Sequence, residues 1–180
     1  MLGGEVVERE QCVAVLGHFF HRLRVFGFEL PHKALVRLVR INLISAITNQ
    51  GKMRFMLYRE TLTAQVLIKF LTRLIREAGG KKVFLILDNL RVHHSKLVQA
   101  WLEQEENKKA IELFFLPSYS PELNPDEYLN GDLKARMSAG EPVRSDGQRQ
   151  GKVLSHLRSL QKQPDRIRSY FRHEKIRYAA

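Results

Sequence analysis

Residues 82–89 read KVFLILDN, and the unbroken apolar run from Val83 to Leu87 leaves few structural readings open. An edge or half-buried strand alternates apolar and polar positions, so this run predicts a strand buried on both faces. Asp88 stands where that strand leaves its sheet. Ligands of open α/β sheets gather at the carboxyl ends of the strands, which makes Asp88 a candidate site residue. The plainer role for such an aspartate is to cap the next helix or close a turn. The polar residues that follow, Asn89 and the pair His93 and His94, favour the site.

A second acidic segment, residues 120–127 (SPELNPDE), comes after a further helix and strand. Asn124-Pro125 is a helix start, with asparagine as N-cap and proline in the first turn. Leu129, Leu133 and Met137 are four apart and face the core, which leaves Glu127 on another side of the helix, free to face a site. Its alternative role is to complement the helix dipole. Glu122 and Asp126 read as a solvated loop acid and a helix-start acid. Together, Asp88 and Glu127 suit hard oxygen ligation of Mg²⁺ or Mn²⁺. A two-ion phosphoryl-transfer site activates the attacking oxygen on one ion and stabilises the leaving oxygen on the other, and it normally uses three or more carboxylates. Zinc ligation by His93 and His94 is the weaker reading, because Cys12 is the only cysteine and no third histidine sits at ligand spacing. One of the two histidines is expected to orient Asp88 or to contact phosphate.

The surrounding elements follow from periodicity. Residues 41–48 (INLISAIT) and 53–58 (MRFMLY) flank turn residues and predict a β-hairpin. Leu67, Phe70, Leu71, Leu74 and Ile75 recur at helical spacing after a cap at Thr61 or Thr63, and Gly79-Gly80 ends that helix. Leu97, Val98, Trp101 and Leu102 predict one helix over about residues 95–106, and residues 111–116 (IELFFL) a strand stopped by Pro117. Residues 139–151 are linker-like, and Val153, Leu154, Leu157 and Leu160 mark a last long helix. Residues 1–31 settle into no clear period and fit a strand pair or an unstructured lead-in equally. The order of elements implies a mixed α/β sheet flanked by helices.

With 180 residues and 44% apolar content the chain can bury a real core. A formal charge of +11 and a pI near 10.0 point to a polyanionic partner, nucleic acid before a membrane surface. Residues 144–180 alone carry ten Lys and Arg against three Asp and Glu, and the interleaved Tyr170, Phe171 and Tyr178 favour a DNA-contacting arm. No membrane span or secretory signal is evident, and the single cysteine fits a reducing, cytoplasmic setting.

The segments ILDNLRVHHS and LFFLPSYSPELNPDEYLNGDLK closely resemble the DDE superfamily of transposases, in the mariner-related branch of bacterial insertion sequences. The resemblance runs from about Arg40 to Leu133 and on through the basic tail to Tyr178, and implies a ribonuclease-H-like domain that holds two Mg²⁺ or Mn²⁺ ions, cuts DNA and transfers strands. It places Asp88 as the second catalytic acid and Glu127 as the third, both as metal ligands. It further implies transposon-end and target DNA as partners, a homo-oligomer or pairing with a full-length transposase, and a nucleoid-associated bacterial location. The resemblance does not extend to the opening strand, where the family carries its first aspartate. No aspartate precedes Asp88, and the nearest acid ahead of the hairpin, Glu29, has surroundings that do not fit the family's motif. The expectation is therefore an atypical segment over residues 1–39, a truncated catalytic domain over 40–138 with its opening strand lacking or atypical, and a basic helical tail over 139–180. Such a chain is an impaired transposase catalytic domain, or else a non-catalytic DNA-binding remnant. A ribonuclease-H-like nuclease acting on RNA is the third reading.

Overall fold

Five strands form one mixed sheet in the order β3-β2-β1-β4-β5. The computed structural model describes residues 12–20 (backbone only), 41–59, 61–118, 120–139 and 145–179. Residues 42–58 form the expected hairpin, β2 (Asn42–Thr48) and β3 (Met53–Tyr58), paired antiparallel. Gly51 makes its turn possible with a φ of 84°. Helix α1 (Ala64–Glu77) is capped by the Thr63 hydroxyl, which accepts from the Val66 N–H. It leads into β4 (Val83–Leu87), the apolar run that ends at Asp88.

The opening strand exists. It is β1 (Cys12–Phe20), pairing antiparallel with β2 and parallel with β4 at the centre of the sheet. Its residues, CVAVLGHFF, carry no carboxylate, so the atypical feature is the missing acid and not a missing strand. Glu29 lies outside the described residues.

Where one helix is expected after Asp88, the chain forms a 3₁₀ turn (Arg91–His94), α2 (Lys96–Leu102) and α3 (Glu105–Ala110). The break falls at Glu103 and Gln104, where the Asn107 side chain donates to the Trp101 carbonyl and closes the end of α2. Strand β5 (Ile111–Phe115) then pairs parallel with β4 at the edge. Helices α4 (Asp126–Ser138), α5 (Asp146–Gln161) and α6 (Pro164–Ser169) complete the chain with short 3₁₀ turns.

The sheet separates two apolar cores. On one side, Leu67, Phe70, Leu71 and Val98 of α1 and α2 pack on Ile44, Ala46, Leu85 and Leu87. On the other, Leu129, Leu133, Leu157, Leu160 and Ile167 of α4 to α6 pack on Leu43, Ile47 and Met53. Strand β2 is accordingly buried throughout. β4 differs from expectation: Val83, Leu85 and Leu87 are buried, but Phe84 and Ile86 are only half-buried. Phe84 looks toward the edge, where it stacks on the exposed Phe114.

Tyr170 and Phe171, expected to support nucleic-acid contact, are buried in the second core instead. Their spacing from Ile167 is helical, and burying large aromatic area outweighs exposing it for stacking. Only Tyr178 is exposed, and its hydroxyl donates to the Leu123 carbonyl at 2.7 Å. Among the described residues no helix is long and apolar enough to cross a membrane.

Candidate active site

Asp88 leaves β4 at the carboxyl edge of the sheet, and its surroundings fix it tightly. His93, 1% exposed, sets Nδ1 2.8 Å from the Asp88 carbonyl and 3.3 Å from its Oδ1. The shorter contact takes the ring proton, so Oδ1 stays buried without a hydrogen-bond partner. The Leu90 N–H donates to the carboxylate. Burial, joined by repulsion from Glu127, nevertheless pushes the Asp88 carboxyl up to about 6. Burial also pushes His93 down to about 4, so the ring is neutral and orients Asp88 rather than balancing its charge. His94 turns away, to the Asn89 side chain and the Phe115 ring, while Asn89 donates to Ser118 at 3.0 Å. These contacts tie the turn after β4 to the loop after β5. The two histidines therefore face different partners, which leaves no shared zinc position between them.

Helix α4 delivers the second acid. The Asn124 side chain accepts from the Asp126 N–H at 2.9 Å and starts the helix as its sequence predicts. Glu127 is exposed and off the apolar stripe, and its side chain forms no hydrogen bond or ion pair among the described residues. It lies close enough to Asp88 for their charges to repel. The fold thus brings together the two residues expected from the sequence.

A third carboxylate, read above as an ordinary helix-start acid, lies beneath them. Asp126 is 0% exposed and receives the Ser45 hydroxyl at 3.0 Å on each oxygen. Burial pushes its carboxyl well above the ordinary range, and repulsion from Glu127 and Asp88 adds to the effect. The signal was in the spacing: Asp126 precedes Leu129 by three residues and Leu133 by seven, which places it on the core stripe.

Strand register shows which residue of β1 stands beside Asp88. Leu16 pairs with Leu87 and Gly17 with Ser45, so continuing the parallel register by one residue sets Gly17 alongside Asp88. Ser45, Gly17 and Asp88 form one row across β2, β1 and the end of β4. Its central position has no side chain.

The donor set fits a divalent cation in part. Two carboxylates repel each other without a cation between them, and one buried oxygen is unpartnered, which suits a hard ion. Among the described residues, however, no three His, Cys, Asp or Glu side chains converge as a metal cluster, since Asp126 is turned to Ser45.

Residues 29–148 match the sequence model of the DDE superfamily endonucleases. The chain belongs to that family. A comparison with curated proteins finds no match. Among solved structures, the DDE chain is similar to the catalytic domain of Mos1 mariner transposase, at 16% identity and a TM-score of 0.59, over 89% of this chain and 78% of that one. The Mos1 mariner paired-end complex with Mn matches at 18% identity and 0.59, over 88% and 54%. The simian T-cell lymphotropic virus intasome in complex with the PP2A regulatory subunit B56 gamma matches at 14% and 0.56, over 80% and 47%. These likenesses establish the ribonuclease-H-like fold. The chain spans about half the length of the intasome and paired-end chains.

Proposed function

We propose that this chain is the catalytic domain of a DNA transposase, built for metal-dependent cleavage and strand transfer, with its chemistry impaired. The observation that carries the reading is the meeting of Asp88 and Glu127 at the carboxyl edge of a β3-β2-β1-β4-β5 sheet. Residues 40–138, completed by β1, form the catalytic unit, and residues 139–180 its basic flank. Asp88 and Glu127 are the catalytic carboxylates and the ligands of Mg²⁺ or Mn²⁺. When bound, such an ion polarises the scissile phosphodiester and makes a water or a strand end a better nucleophile. The chain's own contribution is positional. His93 and the Leu90 N–H hold Asp88, and the start of α4 presents Glu127 beside it. The partners are transposon-end and target DNA, together with a second copy or a full-length transposase, at the nucleoid of a bacterial cytoplasm.

Impairment follows from the central position of the Ser45, Gly17 and Asp88 row, where Gly17 supplies no ligand. Asp88 and Glu127 alone would then hold the metal, fewer carboxylates than a two-ion site normally uses, and poor alignment of the nucleophile can forfeit about 7 kcal/mol or more. The same observation favours the second reading, a DNA-binding remnant that pairs with an intact transposase.

Nicking of supercoiled plasmid with Mg²⁺ or Mn²⁺ tests both readings, with Asp88→Ala as control and gel retardation alongside. Retardation without nicking is expected. Nicking that Asp88→Ala abolishes would overturn the impairment, and absence of retardation as well as nicking would overturn the DNA reading.

A further inference from the structure

Helices α4 and α5 face one another across a cleft of about 570 Å³ whose lining includes neither Asp88 nor Glu127. From α4 it takes Asp132, Ala135 and Arg136, and from α5 Lys152, Ser155, His156 and Ser159. Both sets recur three or four residues apart, so each is one helix face, flanking the apolar stripe. Small alanine and serine side chains leave the space open, and long cationic ones line it. Arg166 of α6 lines it as well.

The charges in this cleft do not balance. Arg136, Lys152 and Arg166 converge there with one carboxylate, Asp132. Arg166 already engages that carboxylate through Nε and Nη2, both at 2.8 Å, and the Tyr170 hydroxyl donates to it as well. Lys152 donates to the carbonyls of Ala139 at 2.7 Å and Met137 at 3.3 Å, which orient its ammonium group without neutralising it. Arg136 is exposed, and its side chain forms no ion pair or hydrogen bond among the described residues. His156 Nε2 is buried with no hydrogen-bond partner. A site with surplus cations, spare N–H donors and open volume suits a multidentate anion.

We propose that this cleft binds a phosphate group of a DNA backbone, with Arg136, Lys152 and Arg166 as its ligands. The source of the phosphate rests on the DNA reading above, whereas the anion site itself rests on the cleft alone. Arg136 and Glu127 lie on the same helix, nine residues apart. That is about 13 Å along the axis at ~1.5 Å per residue, or about four base-pair steps at ~3.4 Å per step. Nine residues are also two and a half helical turns, so the cleft and the carboxylates lie on opposite sides of α4, and a phosphate in the cleft anchors a stretch of DNA away from the reacting bond.

Binding of a fluorescent DNA duplex, followed by anisotropy across a salt series, tests this. Arg136→Gln should lower the salt slope by about one and Arg136→Glu should raise Kd at least about fivefold. Arg76→Glu, on α1 across the sheet, makes the same change of net charge as Arg136→Glu and should leave Kd within about twofold. Equal losses in the two charge-reversal variants would mean that only net charge matters, and would overturn the site. If the wild-type chain binds no duplex, the DNA reading has failed, and a titration with inorganic phosphate examines the cleft by itself. Amide shifts at Ala135 and Ser155 that Arg136→Gln removes would then keep the anion site while overturning its DNA source. No shifts there would overturn the cleft altogether.

Discussion

Ser45 of β2 donates its hydroxyl to Asp126 at the start of α4, with its Oγ 3.0 Å from each carboxylate oxygen. This contact joins the hairpin to the helix that carries Glu127, across 81 residues of chain. It also explains how a carboxyl group with no exposure is tolerated on an apolar stripe.

Removing only the hydroxyl leaves that buried carboxyl unsatisfied, so Ser45→Ala is expected to cost about 1–3 kcal/mol. Replacing both groups, as Ser45→Ala with Asp126→Leu, removes the polar burden and should recover most of the loss. Urea unfolding of wild type, the single variant and the double variant decides the matter. A double variant less stable than Ser45→Ala would show that Asp126 has support beyond Ser45.

The register of β1 makes a second prediction. Residues paired on adjacent strands share a face of the sheet, so Gly17→Asp puts a carboxylate beside Asp88. Plasmid nicking with Mn²⁺ should appear where wild type shows none, at least about tenfold above background, equivalent to about 1.4 kcal/mol of barrier. It should vanish again when Asp88→Ala is added. Tighter Mn²⁺ binding without any gain in nicking would separate ligand count from alignment as the cause of impairment.

The elements nearest the chemistry were the most legible in the sequence, for physical reasons. Val83 to Leu87 had to be central strand, and Asn124-Pro125 had to start a helix that holds Glu127 off its apolar stripe. β1 was hidden because Gly17, His18 and two phenylalanines blur a strand whose pairing partners lie 22 or more residues away. Asp126 was passed over because a first-turn acid usually serves the helix dipole, and only the stripe arithmetic betrays its burial. Tyr170 and Phe171 misled through composition: aromatics among arginines look like a stacking surface until tertiary packing claims them.

Asp132 gives a pH dependence with a definite sign. Burial acts to raise its pKa, but hydrogen bonds from Arg166 and Tyr170 outweigh burial and hold the carboxyl below its ordinary range. A carboxyl depressed in the folded state stabilises the fold above its unfolded pKa of about 3.9, and that contribution fades as pH falls through the folded value. Wild type should therefore lose more stability than Asp132→Asn between about pH 5 and about pH 3. At about pH 5 the variant should be weaker by about 1–2 kcal/mol, and the gap should close in acid. Urea unfolding at the two pH values checks it; a gap that stays constant would mean that Asp132 acts through packing rather than charge.

Gly51 couples the hairpin turn to the start of α6. Its φ of 84° is unfavourable for any residue with a Cβ, and a Cβ built there would lie 2.6 Å from the Pro164 carbonyl oxygen and 2.7 Å from the Pro164 Cβ. Gly79 offers an internal control, with a φ of 62° and nothing within 4 Å of its own Cβ position. Gly79→Ala should cost only the left-handed backbone term, about 1–2 kcal/mol. Gly51→Ala adds overpacking against backbone that cannot swing aside, for a total of about 2–5 kcal/mol. Thermal and urea unfolding should rank wild type above Gly79→Ala and Gly79→Ala above Gly51→Ala. Equal losses would mean that α6 shifts freely off the turn, so that the basic flank is not rigidly seated against the sheet.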